Sequence, residues 1–210
     1  MIFGGAFPVA EDRADISVRV SILFFIISFM GWCFEKIARY FVYGSTADRG
    51  FLSMPICPIY GFSIILIYLL IGSPYSPRIG IRRDCGRTIG KILRFILNLL
   101  IYFILATLIS TAAELVTGML FKEAFGVTLW SYESQPYSLG GYICLGYSLL
   151  WGAMITVFML WLWQPLCSAV WRIGKKRASV IALMLCGIAV ADFAFNTLYA
   201  IVTGEHFNFL

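Results

Sequence analysis

Apolar residues fall into five long runs along the chain, separated by short segments that hold most of the charges, glycines and prolines. A helix needs about 20 largely apolar residues to cross a bilayer core. The pattern therefore predicts an all-α polytopic membrane bundle of about five transmembrane helices, placed at 16–43, 55–72, 93–121, 142–170 and 178–203. The whole chain, 1–210, reads as a single transmembrane domain, with no polar stretch long enough for a soluble one. The first run follows the acidic Glu11, Asp12 and Asp15 and no basic leader, so it reads as a retained helix and not a cleaved signal.

Two glutamates break this pattern. Glu35 ends the run 20–34, and Glu114 lies inside the run 95–121. A carboxylate at membrane depth costs about 2.5 to 3.5 kcal/mol on insertion scales, so it calls for a partner or a task. Each is followed by the same string entering another apolar run. After Glu35 comes Leu52-x-x-x-Ile56-Cys57-x-x-Tyr60, and after Glu114 comes Leu139-x-x-x-Ile143-Cys144-x-x-Tyr147. The chain then reads as two parallel-repeat helical hairpins, 16–72 and 93–170, plus one helix at 178–203. Parallel repeats of this kind are related by an axis along the membrane normal.

Composition sharpens the class. Hydrophobic residues make up 60% and charged residues 13%, with a mean hydropathy of +0.87, far outside the soluble range. The net charge of +5 does not predict nucleic-acid binding, because the basic residues sit in short loops between apolar runs. Twelve of the sixteen Lys and Arg residues fall in the N-terminal tail, the second loop and the fourth loop. The positive-inside rule then places the N-terminus in the cytoplasm and the C-terminus outside. The six cysteines form no metal-ligand spacing and the one histidine is His206, so no metal or cofactor is expected. No nucleotide-binding or nucleophile motif is present either.

That orientation gathers the polar features towards the outer side. Glu35 falls at the outer end of the first helix. Glu114, about 20 residues after Arg94, falls about 30 Å along the third. Asp192 and Asn196 share one face in the outer half of the fifth, and Arg49, Tyr60 and Tyr132 lie near the outer loops. These seven residues are the candidates for binding a substrate or ion: Glu35, Arg49, Glu114, Asp192, Asn196, Tyr132 and Tyr60. Each has a plainer reading. Arg39 stands one turn after Glu35 and could pair with it. Ala106, Ser110 and Gly118 share the face of Glu114 and let another helix approach, so this acid could simply bond across helices. Asp192 with Asn196 could do the same. Pro55 and Pro58 remove two donors where the second helix should begin, which predicts an unwound or re-entrant entry. The aromatics of 129–137 most simply form an interfacial belt, with Gly140 and Gly141 permitting a tight turn into the fourth helix. Cys57 and Cys144 occupy equivalent places on the oxidising side and are candidates for a disulfide. The basic second loop suits anionic headgroups or a cytoplasmic partner.

Three strings carry a family resemblance: Gly31-Trp32-Cys33-Phe34-Glu35; Arg49-Gly50-Phe51-Leu52 with Pro55-x-Cys57-Pro58-Ile59-Tyr60-Gly61; and Trp130-Ser131-Tyr132 through Gly141-x-Ile143-Cys144-Leu145 to Trp151-Gly152. They resemble the bacterial family described as Putative ABC-transporter type IV, also called CmpB-like, over about 22–159. Ser131 stands where that pattern usually has Asp, and Tyr142 where it has Arg. The resemblance implies a multi-pass bacterial inner-membrane protein and a link to transport.

Three functions are open from the sequence. The first is a transporter permease or substrate-capture component, with an outward polar cavity lined by carboxylates and a separate cytoplasmic ATPase; so short a chain would work as a homo-oligomer or within a larger assembly in the lipid bilayer. The second is an intramembrane enzyme acting on a lipid, peptide or cell-wall intermediate, with the glutamates as acid and base. The third is a structural or assembly factor whose acids only join helices.

Overall fold

A computed structural model describes residues 12–44, 51–81 and 88–203. Its elements are α1 (Arg13–Tyr43), α2 (Pro58–Ile71), a two-stranded turn of β1 (Gly72–Ser73) and β2 (Ser76–Pro77), α3 (Thr88–Phe125), a second of β3 (Ser138–Leu139) and β4 (Ile143–Cys144), α4 (Leu145–Trp161), α5 (Trp163–Trp171) and α6 (Lys175–Thr203). All five predicted helical segments are present, with one changed. The predicted helix 142–170 is α4 and α5, bent by 50° at Leu162. Pro165 explains the break: it has no N–H, and its ring crowds the carbonyl four residues back, that of Trp161.

Among the described residues, three helices are long and apolar enough to cross a membrane, namely α1, α3 and α6, and the bent pair α4–α5 makes a fourth if counted as one span. Helix α2 has only 14 residues, about 21 Å at the usual rise. The protein is thus a helical membrane bundle with three or four spans by length and composition.

Helix α1 starts where Asp12 accepts from the Ala14 N–H at 3.3 Å, three residues before the apolar run. Helices α2 and α4 both begin after an extended cysteine, Cys57 and Cys144, and Pro58 takes the first-turn position of α2. Helix α1 packs mainly on α2 and α6, and α3 mainly on α4. The core between them holds Leu23, Ile27, Ile67, Tyr102, Met159 and Trp163, all fully buried.

Small residues set the helix spacing. A methyl at Gly31 would run into the Tyr60 ring, and one at Gly61 would fall 2.8 Å from the Phe24 carbonyl. One face of α3 is buried at every fourth residue: Tyr102, Ala106, Ser110, Glu114 and Gly118. Leu23, Ile27 and Gly31 are buried at the same spacing on α1, and that row leads to Glu35. Each glutamate therefore lies on a row that points into the bundle and not to lipid.

The opposite end of the bundle is held by Arg19. Its Nε bonds Asp15 Oδ2 at 2.8 Å, and Nη1 donates to the carbonyls of Val170 (2.9 Å) and Ile173 (3.2 Å), with the guanidinium over the Trp171 ring. Both charged side chains are about 6% exposed, so their desolvation is offset only while the set is complete. Arg19→Ala, which strands Asp15 and two carbonyls, should lower stability by about 3–5 kcal/mol, read as a fall in the thermal midpoint of purified protein.

Candidate functional site

At the far end from Arg19, two acid–phenol pairs meet. Glu35 on α1 accepts from the Tyr60 hydroxyl of α2 at 3.1 Å, with the Cys57 thiol 3.7 Å from the same oxygen. Glu114 on α3 accepts from the Tyr132 hydroxyl at 2.8 Å. Trp151 of α4 reaches both Glu114 and Tyr132, and the two glutamates are close enough to act on each other's charge. Four helices and one loop thus supply one polar cluster.

Local structure explains each position. Tyr60 stands three residues after the cysteine that starts α2, so it faces back across the α1–α2 contact, where Gly31 leaves room for its ring. Tyr132 is carried by the segment between α3 and α4. Gly140 and Gly141 adopt φ of +61° and +76° there, the tight turn that their sequence predicts. The turn folds the segment back, so the Tyr132 N–H reaches the Gly141 carbonyl at 2.8 Å and the Trp130 indole reaches the Tyr142 carbonyl at 2.9 Å. Tyr132 also stacks on Tyr147, with ring centres 4.8 Å apart. The aromatics of this segment are therefore bonded parts of the site and not only an interfacial belt.

Glu114 is 6% exposed. One oxygen takes the Tyr132 bond, and the other, Oε2, is buried with no hydrogen-bond partner among the described residues. Burial and the neighbouring Glu114 charge raise the Tyr132 phenol above its ordinary pKa, so Tyr132 stays a donor. Glu35 is half-buried. The hydroxyls of Tyr60 and Tyr132, which meet the two carboxyls, are neutral donors.

The third acid sits at the same end but makes a different set of bonds. Asp192 Oδ2 accepts from the Met54 N–H at 3.1 Å. The Asn196 amide donates to Asp192 Oδ1 at 3.1 Å and to Ser53 Oγ at 3.1 Å, and its side chain is fully buried. Together they pin the extended segment before α2, where Phe51 and Ile56 are also buried. The proline-rich entry is unwound as the sequence predicts, and protein covers it in part, with Pro55 exposed. Asp192→Ala frees the Met54 amide and should cost about 1–3 kcal/mol, read as a lower thermal midpoint with α1 to α4 still helical.

Of the seven candidate residues, Glu35, Tyr60, Glu114 and Tyr132 come together, while Asp192 and Asn196 form the neighbouring clamp. Arg49 lies outside the described residues. The candidate Cys57–Cys144 disulfide is not formed: both are thiols, one turned to Glu35 and the other buried at the start of α4. Trp151 was missing from the candidates, although it lies four residues after Tyr147 on the same helical face. A groove of about 530 Å³ lies beside the cluster, lined by Pro136, Tyr137, Cys144, Tyr147 and Leu149, and neither glutamate lines it.

Searches of curated proteins and of solved structures returned no match. The family profile described as Putative ABC-transporter type IV matches residues 22–197, which takes in part or all of every helix and both acid–phenol pairs. The chain is a membrane protein of that transport-related family, and it belongs to the Putative ABC-transporter type IV family.

Proposed function

We propose that this chain is the membrane-embedded component of a transport system, and that its two acid–phenol pairs capture a cation at the external end. The observation that carries this reading is Glu114. It is buried, its Oε2 has no hydrogen-bond partner among the described residues, and it is close enough to Glu35 of a different hairpin for the two charges to interact. A structural carboxylate would be expected to satisfy both oxygens. A bound monovalent cation, or a protonated amine, would use the second.

The five-crossing topology with a cytoplasmic N-terminus and an external C-terminus fits this role. Helix α2 is short, but the extended segment 51–57 continues its path, and Asp192 and Asn196 supply the polar partners such a segment needs. Two hairpins, α1–α2 and α3–α4, would then be parallel repeats, each giving one glutamate on its first helix and one cysteine at the start of its second. The basic ends would face the cytoplasm of a bacterial inner membrane, where a separate ATPase and further copies of this chain would complete the machine.

The test is the thermal midpoint of purified protein in nanodiscs, with sodium, potassium, ammonium and methylammonium salts at constant ionic strength. At least one cation should raise the midpoint in the native protein and in Asp192→Asn, and should fail to do so in Glu114→Gln. An equal response in Glu114→Gln overturns the proposal.

A further inference from the structure

The groove beside the cluster opens away from the bundle. Its α4 wall carries Leu145, Leu149 and Leu150, which are about half exposed, as residues facing lipid are. Its opposite wall is the loop segment Gln135–Tyr137, where Tyr137 has φ of +57° and is 82% exposed. Between them stands Tyr147, whose ring lines the groove and stacks on Tyr132, which donates to Glu114. A chain of contacts thus links the groove, through two stacked tyrosine rings, to a buried carboxylate whose Oε2 has no hydrogen-bond partner among the described residues.

We infer that this groove admits an amphiphilic organic cation sideways from the outer leaflet, with its apolar body against Leu149 and Pro136 and its charge against the Tyr147–Tyr132 pair. The walls select an apolar body because their lining is mostly carbon. The charge is selected by the ring faces, which attract cations, and by Glu114 behind them. A neutral body would gain the apolar contact alone, and an inorganic ion would gain nothing from the groove. The inference deepens the proposed function and rests on it, since the carboxylate at the end of those contacts is the same Glu114. It adds the substrate class and the route of entry.

Gly146 gives a clean block. It lines the groove, and an added Cβ there would meet no atom within 4 Å, so Gly146→Phe starts from open space and places its ring in or over the groove. The experiment measures equilibrium binding of tetraphenylphosphonium to the full chain in zwitterionic nanodiscs, corrected for empty discs. Saturable binding is expected in the native protein and in Asp192→Asn. It should be at least about tenfold weaker in Gly146→Phe and in Tyr147→Leu, which keeps apolar bulk but loses the ring face. Neutral triphenylphosphine oxide should not compete. The inference is overturned by native affinity in Gly146→Phe, or by equal competition from the neutral compound. Such a result leaves the small-cation response standing. Loss of the response to small cations as the reason for failure would instead appear in the native protein's thermal midpoint.

Discussion

Glu114→Gln should leave a folded, inserted protein that no longer responds to cations, with apparent affinity reduced by at least about tenfold, about 1.4 kcal/mol. Glutamine keeps an oxygen for the Tyr132 hydroxyl, so the 2.8 Å bond to the loop survives. What it removes is the charge, and bonds to charged groups are worth about 1.5–3 kcal/mol. Glu114→Leu goes further. It leaves the Tyr132 hydroxyl buried and unpaired, which costs about 1–3 kcal/mol of stability besides the lost response. Comparing the two variants separates the charge from the structural bond: a purely architectural acid predicts that glutamine is tolerated in every assay and leucine in none. The readouts are the cation-dependent thermal midpoint and the monodispersity of the purified protein.

Gly152→Val should both destabilise the bundle and disable the site. Gly152 is buried on α4 where it meets α3, and an added Cβ would collide with the Thr107 hydroxyl and fall 2.9 Å from Thr107 Cβ and 3.1 Å from its Cα. The hydroxyl is itself held by the Phe103 carbonyl at 2.8 Å, so turning it away breaks a bond and still leaves the Cβ clash. The helices must separate, and overpacking of this kind costs about 1–3 kcal/mol or more. Separation would also carry Trp151, the next residue, off Glu114 and Tyr132. We therefore expect a large fall in the thermal midpoint together with loss of the cation response. Thr107→Gly in the same chain removes the Cβ and hydroxyl and should restore much of both, less the cost of about 1 kcal/mol for a glycine within a helix. Failure of the second substitution to rescue would mean that α3 and α4 do not approach through these two residues.

Much of the fold could be read from apolar periodicity, because a bilayer leaves few alternatives to long helices. The predicted and observed ends of four helices agree within five residues. The exceptions have local causes. Asp12 caps α1 earlier than the apolar run begins, and Pro58, not Pro55, takes the first turn of α2. The bend at Leu162 had a visible signal in Pro165, but a continuous apolar run hides a break that only backbone geometry reveals. Whether α2 counts as a crossing depends on the extended segment before it, which hydropathy treats as loop.

The site was partly legible. Register placed Glu35, Glu114 and Asp192 at one end, since depth along a helix follows from residue count. Which of them share a cluster was not readable, because that depends on how each face turns when helices pack. Small residues decided it: Gly31 admits Tyr60 to Glu35, and the turn at Gly140 and Gly141 returns Tyr132 to Glu114. Asp192 faces the 53–54 segment instead, through the backbone amide of Met54, a group that sequence does not mark out as a partner.

Two carboxyls from different hairpins acting as one unit is the claim on which the functional account rests. A double-mutant cycle of Glu35→Gln and Glu114→Gln, read as cation-dependent stabilisation in nanodiscs, tests it most directly. Shared capture predicts that either single change removes most of the response and that the double mutant loses little more. Independent, additive losses from the two positions would contradict it.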